Sequence, residues 1–255
     1  MKSVAIHRMR AIHSARMSTF LLVHGAWQGG WCWRKLVPLL EARGHTVLAP
    51  DLPGHGDDPT PLSTVTLQSY ADRICQIAGA QPEPVILLGH SMGGAAITQA
   101  AEDCSGKIKA LVYLCAFLPR NGDSIKTWAS QDPESLVNTN MVRLGEGIVG
   151  LKPFAVHDAL YVECGDKDES FANARLVPQA SAPFGAPVHT TQERWGQIPR
   201  YYIECARDRA LTLPIQKEMQ KHSPCRQTFS IDTDHSPFFS APEQLADILE
   251  RIGRL

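Results

Sequence analysis

The chain predicts an α/β fold, an open and mostly parallel β-sheet with helices on both faces, and three observations predict it. Short, continuous apolar runs recur along the sequence. Segments with helical spacing separate them, and one run ends in a glycine-flanked serine that opens a helix. Continuous apolarity marks strands covered on both faces, the habit of parallel sheets. Repeated strand–helix units then require a sheet with helices on either side.

Thr19–Val23 is the first buried run and ends in His24-Gly25. Between Trp33 and Arg43, Trp33, Leu36, Val37 and Leu40 sit at helical spacing, and Gly44 supplies the stop. Thr46–Ala49 reads as a second strand, closed by the turn-rich segment from Asp51 to Gly56. Leu67, Tyr70, Ile74 and Ile77 form one helix face. Val85–Leu88 and Ile108–Leu114 are further strands. The rhythm resumes with a strand at Tyr201–Cys205, a helix entered at Pro214 and a strand near Phe229–Ile231. Ser240-Ala-Pro-Glu243 reads as a capping box before a last helix carrying Leu245, Ile248, Leu249 and Ile252.

From Arg120 to Gln197 the strand rhythm disappears. The stretch is too long for a plain loop and is read as a mainly helical cap, residues 120–197, inserted into a core of residues 17–119 and 198–255. The first sixteen residues, with Lys2, Arg8, Arg10 and Arg16, have neither an apolar stretch nor a small-residue cleavage site, which argues against a secretory signal. They are expected to be a disordered extension before a start at Met17, with an Arg-rich targeting segment as the alternative.

A net charge of −1 with 20% charged residues offers no basic face, so nucleic acid is not an expected partner. No apolar run reaches the roughly 18 residues of a membrane span. The seven cysteines (32, 75, 104, 115, 164, 205 and 225) show no metal-ligand spacing, and are read as reduced structural thiols of a cytoplasmic protein. No cofactor is expected, and homodimerisation is left open.

Gly89-His-Ser91-Met-Gly93 follows the strand Val85–Leu88 directly and precedes a helix of small residues. A serine in a tight strand-to-helix turn projects its hydroxyl from the sheet edge, and the helix aims its N-terminal N–H groups at the reaction centre. Side chains at 89 and 93 would crowd that turn. An acyl-transfer site also needs two amides aimed at the developing oxyanion, here those of Met92 and Ala26, with Gly25 allowing close approach. His24 is read as bonding its own loop rather than as a base.

The base must follow the nucleophile. His235, in the loop after the last strand, lies at the carboxyl edge of the sheet, where ligands sit in such folds; His189 and His222 read as surface residues. Asp208, leaving the end of the strand at Tyr201–Cys205, is the candidate acid. Asp232 and Asp234 compete, but their closeness to His235 along the chain makes an approach from behind the ring awkward. Glu204 reads as structural. Ser91, His235 and Asp208 are thus the candidate catalytic triad.

These residues resemble the α/β hydrolases, and within them the plant methylesterase and hydroxynitrile lyase family with its bacterial esterase relatives. The stretches that carry the resemblance are His24–Trp33, Lys35–Leu40, Gly44–Val47, Gly89–Gly94, Tyr113–Pro119, Tyr202–Cys205 and Asp234–Pro237. The cap shows almost none. The resemblance implies an α/β-hydrolase fold and hydrolysis of small, fairly apolar carboxylic esters through an acyl-enzyme. Candidate substrate-binding residues are Gly25, Trp27, Phe117, Leu118, Trp128, Phe184 and Trp195, though aromatics at such positions often serve packing alone. The lyases resembled carry a threonine-type residue where this chain has Gly25 and a lysine where it has Ser236, which favours an esterase. A lyase and a small-molecule receptor on the same scaffold remain the alternatives. Epoxide hydrolases and dehalogenases use an aspartate nucleophile, and Ser91 argues against them.

Overall fold

Val85–His90 is buried at every position, and the molecule is layered outward from it. A computed structural model describes residues 17–254; the expectations for residues 1–16 lie outside the described residues. In chain order the first half runs β1 (Thr19–Val23), α1 (Leu36–Ala42), β2 (Thr46–Leu48), α2 (Leu67–Gly79), β3 (Val85–His90), α3 (Gly93–Asp103) and β4 (Ile108–Leu114). The middle holds α4 (Ile125–Ala129), α5 (Leu136–Asn140), β5 (Met141–Gly145), β6 (Ile148–Leu151), α6 (Pro153–Val156), α7 (Asp166–Asn173), β7 (Gln179–Ala180) and α8 (Ala182–Gly185). The chain closes with β8 (Arg200–Cys205), α9 (Leu213–His222), β9 (Gln227–Ile231), α10 (Pro237–Ser240) and α11 (Pro242–Gly253).

Six strands pair in the order β2-β1-β3-β4-β8-β9, every pair parallel. The register sets Val23 beside Gly89, His90 beside Leu114, Leu114 beside Ile203 and Cys205 beside Ile231. The loops after β1, β3, β8 and β9 therefore leave one carboxyl edge together. Alternate residues of the central strands enter two separate apolar clusters, one on each face: Leu21, Leu87 and Leu111 on one side, Phe20, Ile86 and Val112 on the other. Each fully buried side chain of this size contributes about 1.5–3 kcal/mol, so the strands are held from both faces.

Between β4 and β8, which are neighbours, the chain leaves this sheet. The excursion is richer in helix than in strand, and it also carries a three-stranded antiparallel sheet, β5-β6-β7, that the sequence did not announce. The strands of that sheet are short, β5 and β6 partly exposed and β7 a buried pair of residues, without the long apolar run that marks a core strand. Phe184, Val188 and Trp195 from this stretch enter the same apolar cluster as α3.

Two expectations are corrected. Ser240 does not cap the last helix, whose N-cap is Ala241 with no side-chain bond; the hydroxyl of Ser240 donates instead to Asp234 Oδ1 at 2.8 Å. Cys75 and Cys104 are not free thiols. Packing of α2 on α3 brings their Cα atoms to 5.8 Å in a disulfide, whereas Cys32, Cys115, Cys164, Cys205 and Cys225 are unpaired. Among the described residues no helix is long and apolar enough to cross a membrane.

Candidate active site

Ser91 adopts φ 52°, a left-handed conformation that costs a non-glycine residue of order 1–2 kcal/mol. Three backbone bonds hold it there. Its N–H donates to Leu114 O at 3.3 Å, and its carbonyl accepts from Gly94 N at 3.0 Å and Phe117 N at 3.1 Å. The turn has no room for side chains on either flank: a Cβ at Gly89 would stand 2.6 Å from Gly93 O, and one at Gly93 would stand 2.8 Å from His24 O. Ser91 follows β3 and sits two residues before α3, so the N-terminal amides of that helix lie next to it.

His235 leaves the loop after β9 and is almost wholly buried. Its Nδ1–H donates to Asp208 Oδ2 at 2.7 Å, which places Nε2 on the opposite edge of the ring. Asp208 is oriented in turn by its surroundings. Its Oδ1 accepts from Ala210 N at 2.7 Å and Leu211 N at 2.9 Å, and Gln216 Nε2 approaches Oδ2 at 3.4 Å. A buried carboxylate with four donors around it is an acceptor fixed in direction. Asp232 is exposed and pairs with Arg207, while Asp234 accepts from Glu163 N, Ser236 N and Ser240 Oγ. Of the three candidate acids, only Asp208 reaches His235. Glu204 bonds Gln220, and His189 and His222 are exposed.

Ser91 and His235 line one cavity of about 410 Å³ together with Gly25, Ala26, Met92 and His90. Among the described residues Ser91 Oγ has no hydrogen-bond partner, so the hydroxyl and imidazole share the cavity without a closed bond. The amides of Ala26 and Met92 likewise donate to no backbone or side-chain acceptor among the described residues, and both residues are buried at the cavity floor.

Trp27, Phe117 and Phe184 line the walls as expected, along with Leu160 and Leu211. Leu118, Trp128 and Trp195 do not line this cavity. Leu118 is fully buried with its amide on Met219 Sδ; Trp128 turns its indole N–H to Asp123, and Trp195 turns its own to the Tyr113 hydroxyl. Their aromatic or aliphatic bulk is used in packing. Trp27 also carries structure, in a left-handed turn (φ 62°): its indole N–H donates to Val149 O, and its carbonyl accepts from Val177 N. It thereby ties the loop after β1 to the inserted stretch.

Sequence reasoning passed over His90, the variable position of its motif. The ring is fully buried, and its Nε2–H donates to the His235 carbonyl at 2.8 Å. Burial first, and then the neighbouring His235, hold it well below the ordinary histidine range, so it is neutral. His24 bonds its own loop as expected, its Nδ1–H donating to Gly25 O at 2.8 Å, while Nε2 accepts from Leu52 N at 3.1 Å in the loop after β2; burial with the nearby His55 pushes it down to about 3.

Among the described residues one trio could be considered for a metal. His90, Cys115 and His235 offer ligand atoms within 4.8 Å of one another. Each imidazole keeps one nitrogen free of hydrogen bonds, as a metal-bound histidine does, but burial pushes the Cys115 thiol far up, against the thiolate a metal would need.

A strained serine at a strand–helix turn, an imidazole backed by a carboxylate and two unengaged amides around an apolar cavity form a site able to transfer acyl groups. The alpha/beta hydrolase family model matches residues 20–248, and the chain belongs to that family. A pyrethroid hydrolase of Sphingobium wenxiniae is 34% identical over 91% of this chain and 86% of its own length. Methylesterase 2 of Arabidopsis thaliana is 32% identical over 93% of this chain and 97% of its own. The crystal structure of a pyrethroid hydrolase from Sphingobium faniae superposes with a TM-score of 0.84 at 30% identity, covering 93% and 97% of the two chains. The chain spans only 59% and 64% of two Arabidopsis proteins that bear the name of chloroplastic methylesterases.

Proposed function

We propose that the protein is a serine esterase that hydrolyses small, fairly apolar carboxylic esters through Ser91, His235 and Asp208. The observation that carries this reading is the 2.7 Å bond from His235 Nδ1 to Asp208, with Ser91 held in a left-handed turn on the same cavity. His235 Nε2 takes the hydroxyl proton as Ser91 Oγ attacks the ester carbonyl. Asp208 keeps the tautomer and stabilises the imidazolium. The amides of Ala26 and Met92 receive the negative oxygen of the tetrahedral intermediate. The alcohol leaves with the proton from His235, and water repeats the sequence to free the acid and Ser91. The matched methylesterase and pyrethroid hydrolases support an ester as substrate.

The lyase alternative is disfavoured at Gly25. A Cβ there would stand 2.8 Å from His90 Nδ1, 3.1 Å from Ser91 Cβ and 3.2 Å from Gln28 Oε1, so a threonine could not enter without displacing His90. Residue 236 is a buried serine and supplies no cation. The same reading treats residues 120–197 as a cap over a core of 17–119 and 198–255, supported by the departure of the chain from the main sheet between β4 and β8. Five unpaired cysteines support a cytoplasmic setting, while the Cys75–Cys104 bridge argues against one.

Ser91→Ala tests the assignment. Hydrolysis of p-nitrophenyl and methyl esters by the wild type, reduced at least about 10³-fold in the variant with an unchanged melting temperature, is the expected result. Undiminished turnover in the variant refutes it. Tight ligand binding by a wild type that turns over no ester would favour the receptor.

A further inference from the structure

The cavity is lined mainly by apolar side chains, and among the described residues lining it Lys126 is the only Asp, Glu, Lys or Arg. Lys126 lies on α4 and is exposed, so it stands at the mouth, while Ala26, Met92 and His235 are buried at the inner end. Its chain extends toward α8: the ammonium lies 3.6 Å from where a Cβ of Gly185 would stand. No hydrogen bond or ion pair engages that ammonium among the described residues.

The other polar residues of the mouth do not offer comparable donors. The Ser130 hydroxyl donates to Thr127 O at 3.1 Å, and Asn138 Nδ2 donates to Ala129 O at 2.8 Å and Asp132 O at 3.1 Å. Lys126 therefore presents the one set of unengaged cationic donors among these residues, above side walls of Ile125, Val137, Met141 and Phe184 that cannot solvate an anion. A charge buried among those walls without a partner would be costly, whereas one held at the mouth keeps water on one side and the ammonium on the other.

Resting on the esterase reading above, we propose that Lys126 is a specificity residue. It selects esters that carry a free carboxylate at the end remote from the reacting carbonyl, as in the monoester of a dicarboxylic acid.

The test compares monomethyl esters of straight-chain dicarboxylic acids with methyl esters of the monocarboxylic acids of matched length. At the length that spans the cavity, kcat/KM of the wild type favours the charged ester by about five-fold, the upper range for an exposed ion pair. Lys126→Arg keeps that ratio, Lys126→Met abolishes it and Lys126→Glu reverses it. Raising the salt to about 1 M, where the screening length is about 3 Å, shrinks it. Equal ratios in the wild type and Lys126→Glu at every length overturn the proposal, and turnover of the neutral esters in that case leaves the esterase reading intact. If neither series is hydrolysed, the esterase reading fails on its own. Calorimetric titration of the charged and neutral esters into the wild type and Lys126→Glu then decides: selective weakening of the charged ester supports the anionic subsite, and equal affinities reject it.

Discussion

His90 supports the main chain of His235: its Nε2–H donates to the His235 carbonyl at 2.8 Å, and the two rings lie 4.6 Å apart. Because a carbonyl can only accept, this bond fixes the tautomer of His90 and leaves Nδ1 bare, buried and without a partner. In His90→Phe the carbonyl keeps only the Cys115 thiol at 3.5 Å, a weak donor. The expected outcome is a loss of about 1–3 kcal/mol of stability by urea unfolding. An accompanying fall of about ten-fold in kcat at little-changed KM would mark a positioning role, equivalent to about 1.4 kcal/mol of transition-state stabilisation. His90→Gln, which restores a donor, should recover part of both. A kcat unaltered in the phenylalanine variant would reduce His90 to packing.

Asp208, 27 residues from His235 along the chain, and Asp234, its immediate neighbour, do different work. Asp208→Asn retains an oxygen able to accept from Ala210 and Leu211, so the fold should survive. The amide no longer specifies the tautomer of His235, and kcat should drop by about 10⁴-fold. Asp234→Asn weakens instead the carboxylate that joins Glu163 N, Ser236 N and Ser240 Oγ. Its expected signature is a lower melting temperature with a much smaller change in kcat. Reversal of the two signatures would transfer the acid's role to Asp234.

The sheet was legible because each central strand is a continuous apolar run, and Ser91 because its flanking glycines answer a steric demand that the structure shows directly. Asp208 was singled out by its place at the carboxyl end of the strand Tyr201–Cys205, since chain order alone left Asp232 and Asp234 in play. What escaped was whatever depends on contacts between distant segments. Trp27, Trp128 and Trp195 look alike as sequence, and only the location of each indole's acceptor separates wall from packing. The Ser240 capping box failed because Ser240 ends α10, so that the N-cap position of the last helix falls one residue later, on Ala241, which has no side chain able to accept a bond. Cys75 and Cys104 meet only because α2 packs on α3, and their spacing carries no trace of that.

Buried neutral histidines make stability depend on pH. His24, His55 and His90 are all held below the ordinary value of 6.5, chiefly by burial, and His24 down to about 3. Between 6.5 and the depressed folded value, the unfolded chain binds more protons than the folded one. Stability therefore rises with pH in that window and is lost as pH falls, at up to about 1.4 kcal/mol per pH unit for each histidine. Glu102 and Glu250, lowered by their hydrogen bonds, lose their contribution only below about 4.5. Melting temperature should thus begin to fall near pH 6.5 rather than near 4.5. His24→Gln, which can still accept from Leu52 N, should show a shallower slope between pH 6.5 and 5. A flat profile over that interval would contradict burial of these rings in the neutral state.

The Cys75–Cys104 bridge fastens the helix behind Ser91 to its neighbour α2, across a sequence separation of 29 residues. Closing a loop of that length removes unfolded-chain entropy equivalent to about 3.5 kcal/mol. In a domain of this size the loss corresponds to about 10 °C in melting temperature. Reductant should lower the melting temperature by that order, Cys75→Ser should match the reduced wild type, and reductant should not lower the variant further. Alkylation under denaturing, non-reducing conditions should label Cys32, Cys115, Cys164, Cys205 and Cys225, leaving Cys75 and Cys104 until a reductant is added. Alkylation performed at lysis also reports the compartment, because the cytosol keeps such pairs reduced. Labelling of all seven cysteines in purified, air-exposed protein would show that the bridge does not form.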